Sequence, residues 1–214
     1  MPEPKLNVWP VDGCSRVFPN DEPPRRPARG WDLCAARGEY VTLQLGVRTE
    51  AALKEIDVTA GPLRRGAAVI SAEAVQFRWA GLVPLPQDAF DPVCAERPDL
   101  IPGWYPDPLL EQAPWSGSKP PRAAAAHLTL RVPKRASPGR YRGEVMVTCQ
   151  GKRRARIPVS LEVWSFAIPK KPTFHVTNWF QADCVTKWHR CEPWSELHWK
   201  LLDLYAATMA AYRQ

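Results

Sequence analysis

Several things are missing from this 214-residue chain, and each absence removes a class of protein. No stretch approaches the roughly 20 consecutive apolar residues of a membrane helix, so no membrane span is expected. The opening MPEPKLNVWP has neither the charged region nor the apolar run of a secretory signal. The expected location is therefore cytoplasmic by default, or secreted if the N-terminus given is incomplete. No convincing helical periodicity occurs before residue 190. The four histidines, His127, His175, His189 and His198, have no serine or cysteine partner in a recognisable nucleophile motif. Cys184, His189, Cys191 and His198 lack the closely spaced C-x2–4-C pair that opens a structural zinc site, so no metal is expected there.

What is present is a large apolar share, 45% of residues, enough for a real core. The 24 prolines cluster in connections: Pro19 to Pro27, Pro84 to Pro121, and Pro169 to Pro172. Of these, Pro84 to Pro121 reads as one long irregular crossing. Net charge is +7, with basic clusters at Arg25-Arg26, Arg64-Arg65 and Lys152-Arg153-Arg154. They are scattered and no aromatic recognition motif accompanies them, so they read as a solvated surface and no nucleic-acid partner is expected. Cys14, Cys34, Cys94, Cys149, Cys184 and Cys191 are read as buried free thiols, because a chain of this size does not need disulfides.

Strand patterns dominate. Leu128, Leu130 and Val132 alternate with polar residues, as do Val145 and Val147, and Ile157, Val159, Leu161 and Val163. Ser137-Pro138-Gly139 predicts the first turn between these runs and Gln150-Gly151-Lys152 a tight hairpin as the second. Pro158 has no N–H to donate, so its strand is expected at an edge or bulged there. Val41 to Val47 and Val75 to Trp79 alternate in the same way, with shorter candidates at Leu6–Val11, Arg16–Phe18 and Ile56–Thr59. About eight short strands with proline-rich connections predict a mainly β fold, an antiparallel β-sandwich of the immunoglobulin-like type.

The character changes at Ala167-Ile168-Pro169-Lys170-Lys171-Pro172. Residues 1–168 read as a complete N-terminal β-sandwich domain, and 169–214 as a linker followed by one β/α unit. An extended run, Thr173 to Phe180, precedes a helix opened by Glu192-Pro193-Trp194, with Pro193 at the first helical position. Trp194, Leu197, Leu201, Leu204, Tyr205 and Thr208 follow at helical spacing. One such unit cannot bury its own apolar face, and a (β/α) barrel would supply the neighbours.

Asp21-Glu22 is the only adjacent Asp-Glu pair, and its proline-rich loop offers nothing to desolvate either carboxyl for acid catalysis. Asp99, Asp107 and Glu111 read as turn-capping residues. Of the ten tryptophans, Trp31, Trp104, Trp115 and Trp188 are read as loop residues covering an interdomain surface.

A set of landmarks runs in order along the chain: Ala35-Ala36-Arg37-Gly38-Glu39-Tyr40 leading into Gln44, then Tyr105-Pro106-Asp107-Pro108-Leu109-Leu110. Val132-Pro133-Lys134 and Pro138-Gly139-Arg140-Tyr141-Arg142-Gly143 follow, then Leu161-Glu162-Val163-Trp164-Ser165-Phe166 with Pro169, and last Phe174-His175-Val176-Thr177-Asn178-Trp179. In these the chain resembles the N-terminal region of glycoside hydrolase family 123-type proteins, where a β-sandwich precedes a (β/α)8 catalytic barrel. The resemblance implies a parent that hydrolyses a terminal β-linked N-acetylgalactosamine with retention, the substrate's acetamido oxygen serving as nucleophile. It also implies a barrel Asp-Glu pair that has no counterpart here, so no catalytic residue is assigned and the chain itself is expected to be inactive. His175, Asn178 and Trp179, at the end of the first barrel strand, would lie on the substrate side. The implied partners are a glycan substrate in the parent and the missing catalytic domain, packed intramolecularly; no cofactor is implied. The alternative is a non-catalytic sandwich module that binds glycan or a protein partner.

Overall fold

Alternation of apolar and polar side chains puts every second residue of a strand on one face, and two such sheets bury those faces against each other. In the computed structural model, which describes residues 5–50, 55–86, 102–111, 122–169, 174, 177 and 179–211, eleven strands do this. They are β1 (Leu6–Val11), β2 (Trp31–Arg37), β3 (Tyr40–Thr49), β4 (Ile56–Ala60), β5 (Leu63–Arg65), β6 (Ala68–Ile70), β7 (Val75–Leu85), β8 (Gly103–Leu110), β9 (Ala123–Arg131), β10 (Gly139–Cys149) and β11 (Lys152–Ala167). One sheet has the order β1-β3-β9-β7-β8; the other runs β2-β11-β10-β5-β6, with β4 also on β10. The chain divides into two compact units, Met1–Ile168 and Pro169–Gln214. All the strands lie in the first.

The alternating residues meet in one core: Leu43, Leu45, Val47, Leu128 and Leu130 from one sheet pack with Val145, Val147, Val159, Leu161 and Val163 from the other. Each fully buried Leu or Val contributes roughly 1.5–3 kcal/mol of transfer free energy. The predicted hairpin is there: β10 and β11 pair from Cys149↔Lys152 back to Gly139↔Val163. Gln150 and Gly151 both take positive φ, 52° and 71°, the mirror-image turn whose twist matches the flanking strands. The other predicted turn differs. Its tight part is Pro133–Ala136, closed by the Ala136 N–H on the Pro133 carbonyl at 3.0 Å, and it carries the chain from one sheet to the other.

The sandwich is not wholly antiparallel. β2 runs parallel to β11, from Trp31↔Val159 to Ala35↔Val163. So β11 is a central strand, contrary to the expectation from Pro158. That proline lies one residue before the β2 ladder begins, outside it, and the bulge falls instead between Val147 and Thr148. The same logic places the other strand prolines. Pro10 is in edge strand β1, Pro106 and Pro108 are in edge strand β8, and Pro84 lies past the end of the β9 pairing of β7. A missing N–H costs little where no neighbour is waiting for it.

Other expectations need correcting. The end of β7 and all of β8 occupy part of the stretch read as one irregular crossing; its residues 87–101 and 112–121, with Cys94, Asp99 and Trp115, lie outside the described residues. Arg16–Phe18 is not a strand. Trp31 is a core residue opening β2, Trp104 lies on β8, and Trp188 is on a helix. The five described cysteines are free thiols, but only Cys149 is buried, where burial pushes its thiol pKa up; Cys14, Cys34 and Cys184 are exposed.

The second unit holds two helices, α1 (Ala182–His189) and α2 (Glu196–Ala211), and no strand among its described residues. Neither α1 nor its ending was expected: Arg190 takes the left-handed conformation usually given to glycine. α2 begins later than Pro193. Trp194 has φ 62°, and the Ser195 hydroxyl caps the helix by accepting the His198 N–H at 3.2 Å. Half of the expected extended run Thr173–Phe180 lies outside the described residues, and the other half carries no strand. Neither helix is long and apolar enough to cross a membrane.

Candidate functional site

The four alanines of β9, Ala123–Ala126, are apolar on both faces of the strand, so the outer face of the five-stranded sheet must also be covered. It is covered by the segment after β1. Val17 packs with Trp9, Ala80, Ala123 and Ala125 in a second, smaller core, and Phe18 meets Tyr105 edge-on at 5.1 Å. The Pro19 carbonyl accepts the N–H groups of Arg122 and Ala123 at 3.1 and 2.9 Å, which pins the strap to the sheet. Trp9 lies flat on Gly46, its partner across the ladder. A Cβ at Gly46 would come within 2.2 Å of the indole, so only glycine leaves room for the ring.

Between this strap and β8 the surface sinks into a hollow of about 250 Å³. Its floor is shallow because the sheet there carries Ala80 and Ala125. Gln44 and His127 stand beside them as cross-strand partners on β3 and β9. Gln44 is only 1% exposed, and its Nε2 donates to the carbonyls of Asp12 and Ser15 at 2.9 and 2.5 Å. The amide is thereby fixed in orientation and the strap is tied down at its first turn. On the walls, Arg16 donates from Nε to the Pro106 carbonyl at 3.2 Å and faces Asp107 at 4.0 Å. Burial lowers the pKa of His127, so its imidazole is neutral at neutral pH and offers one donor and one acceptor.

This arrangement can bind, but its described residues hold no acid/base pair: among them Asp107 is the one carboxylate lining the hollow. Asp21 and Glu22 serve the strap: the Asp21 carboxylate accepts the Phe18 N–H at 2.8 Å, and Glu22 pairs with Arg48 at 2.6 Å. Glu111 pairs with Arg78 at 3.3 Å. Among the described residues no three His, Cys, Asp or Glu side chains converge as a metal site. His198 is bound on both ring nitrogens by backbone, accepting the Trp194 N–H on Nδ1 at 2.9 Å and facing the Ala182 carbonyl from Nε2 at 3.1 Å.

Of the residues singled out from the sequence, Trp179 is 98% exposed, and His175 and Asn178 lie outside the described residues. The hollow was not singled out. Its polar members come from positions 16, 44, 107 and 127; the sheet brings 44, 107 and 127 together and the strap adds 16, and the alanine run was the available signal.

A family model described as glycoside hydrolase 123 N-terminal domain matches residues 16–149. Among solved structures, a family 123 glycoside hydrolase from Clostridium perfringens, analysed for glycolipid glycan hydrolysis, superposes with a TM-score of 0.77 at 15% identity. That match covers 96% of this chain but 36% of the enzyme, so the chain spans about a third of its length. A β-glucosidase from Listeria innocua matches at 11% identity over 78% of this chain and 16% of its own, with a TM-score of 0.28, too low to carry an argument. No curated protein matches the chain significantly. The two-sheet, mainly β architecture is that of the family 123 enzyme over the matched region, and the resemblance drawn from the sequence landmarks is correct at family level.

Proposed function

The chain belongs to the glycoside hydrolase 123 N-terminal domain family, and from that premise we propose that it is the accessory, non-catalytic part of a glycoside hydrolase. The observation that carries this reading is the use of its carboxylates. Asp21 and Glu22, the only adjacent Asp-Glu pair, fold the strap, and among the described residues Asp107 stands without a second carboxylate in the hollow. Glycoside hydrolysis by the usual route needs two carboxyl groups flanking the bond, or one pair that orients and protonates when the substrate supplies the nucleophile.

In this proposal residues 1–168 form the sandwich module, and 169–214 are a linker and the opening β/α unit of a (β/α)8 catalytic barrel. The exposed apolar side chains of α2, Leu197 and Leu204 among them, favour a neighbouring element beyond the described residues of this unit. An immunoglobulin-like strand arrangement is supported by Tyr141. Its hydroxyl bonds back to the Ser137 carbonyl at 2.9 Å, as tyrosines do at the corners of such sandwiches. The parent reaction is retaining, substrate-assisted hydrolysis of a terminal β-linked N-acetylgalactosamine, a reading favoured by family membership. His175, Asn178 and Trp179 are then the first residues of this chain on the substrate side.

The test has two arms. This polypeptide is expected to give no turnover of a chromogenic β-N-acetylgalactosaminide, and turnover lost on Asp107→Asn would overturn the non-catalytic assignment. The transcript is expected to continue past Gln214 into a β/α-patterned segment containing an adjacent Asp-Glu pair. A stop codon there would instead favour a sandwich module acting without a barrel.

A further inference from the structure

The hollow under the strap has two walls of opposite charge and a floor of small apolar side chains. Arg16 on one wall and Asp107 on the other face each other at 4.0 Å, so the site carries no net charge from the pair. That balance disfavours a phosphate or carboxylate ligand and equally an organic cation. A single carboxylate and one imidazole are too few for a divalent cation, which takes more oxygen ligands. Among the described residues no aromatic ring lines the hollow, so they offer no stacking platform of the kind nucleobases use. Its volume of about 250 Å³ lies just under the lower bound of about 300 Å³ for pockets that hold drug-sized molecules, which leaves room for one ring.

What remains is a ligand that is neutral, rich in hydroxyls, and apolar on one face. The hollow offers each need a partner. The guanidinium donates and the Asp107 carboxylate accepts. The His127 imidazole, which has no hydrogen-bond partner among the described residues, does one of each. Leu109, half-exposed on the rim, supplies apolar contact above the buried floor of Val17, Ala80 and Ala125. Gln44 is held by two carbonyls before any ligand arrives, so the floor needs no rearrangement to bind.

The geometry points to this hollow as a binding subsite for one neutral sugar ring, held by Arg16, Asp107 and His127 on the outer face of the five-stranded sheet. It goes beyond the accessory role proposed above, because it gives the sandwich a ligand of its own. It does not depend on the parent's reaction, since the ligand class is argued from the hollow's charge, size and lining.

The experiment is an amide-resonance titration of the whole chain with free N-acetylgalactosamine, galactose and glucose, with inorganic phosphate and calcium as comparison ligands. Expected are saturable shifts at residues 13–17, at 107 and 109, and at the Gln44 side-chain amide, with a dissociation constant on the order of 1–10 mM. Asp107→Ala should weaken binding about fivefold to tenfold, the loss of one charge-assisted hydrogen bond. Asp107 is exposed, so that variant is expected to melt as the parent does, and His127→Ala is the second probe. Trp164→Ala, on a different sheet, should bind unchanged. Sugar shifts that are absent, spread over the surface, or indifferent to both hollow variants would overturn the assignment, as would saturable binding of phosphate or calcium in the same place. None of these results bears on turnover or on the downstream sequence, so the subsite can fail while the accessory role stands.

Discussion

The large apolar side chains are used differently in the two units of this chain. In Met1–Ile168 a set of them builds an interior: Leu45, Leu128, Leu161 and Trp79 are buried in the core between the sheets, while Trp104, Leu109, Leu110 and Trp164 are exposed outside it. In Pro169–Gln214 they are on the outside, with Leu197, Leu204, Trp188 and Trp199 exposed, while the most buried side chain of α2 is a histidine, His198, at 1%. One unit is held by apolar area shared between sheets. Among its described residues the other buries one apolar side chain, Val185, and adds polar ties: Ser195 capping α2, and His198 bridging Trp194 and Ala182. An isolated helix of 16 residues is marginal in water on propensity alone, so these ties matter more there than they would in the sandwich.

The comparison breaks most visibly in the core. Leu161→Ala empties a fully buried position on central strand β11, and a loss of about 2–5 kcal/mol in unfolding free energy is expected from denaturant melts. A loss below 1 kcal/mol would mean that the sheets repack freely. Gly46→Ala acts by the opposite route, overfilling rather than emptying. The new methyl meets the Trp9 indole, and displacing that ring should cost about 1–3 kcal/mol and expose the tryptophan to collisional quenchers. Unchanged Trp9 fluorescence with unchanged stability would refute the packing of strap on sheet.

How much of this was readable beforehand follows from the range of the forces involved. Strands with one buried face announce themselves by alternation, which is why Val41 to Val47 and Ile157 to Val163 were legible, and the Gln150-Gly151 turn announces itself by φ. β2 was not legible, because its second half is buried on both faces at Ala35 and Ala36 and shows no period of two. β8 was hidden by its own prolines, which only an edge position excuses, and edge position depends on partners far away in sequence. α1 was hidden because Gln181 gives no side-chain cap at its start and Arg190 replaces the usual glycine at its end. The hollow was hidden for a different reason. Arg16, Gln44, Asp107 and His127 form no motif; the ladder β3-β9-β7-β8 brings the last three segments together, and the strap laid over that sheet adds Arg16.

In the second unit the largest expected effect comes from a polar side chain. His198→Ala removes the acceptor for the Trp194 N–H and the partner of the Ala182 carbonyl, both near the start of a helix. A destabilisation of about 1–2 kcal/mol is expected, read as faster amide exchange across residues 182–211. Exchange in β3, β9 and β11 should not change. If the strands also exchange faster, the two units are not independently held.

The smallest effect should come from the substitution that looks most severe on paper. Leu204 is a leucine in mid-helix, as apolar as Leu161, but it is 63% exposed where Leu161 is at 0%. Little of the leucine's transfer free energy is gained on folding at such a position, so replacing it should lose little. Glutamate has a helix propensity close to that of leucine, which removes the other source of cost. Leu204→Glu should therefore change unfolding free energy by less than about 0.5 kcal/mol. It should also reduce self-association in sedimentation, because it breaks the exposed apolar surface of α2. A destabilisation of 2 kcal/mol would show that Leu204 is covered in solution by something in this same chain, and the contrast between the two units would have to be withdrawn at that face.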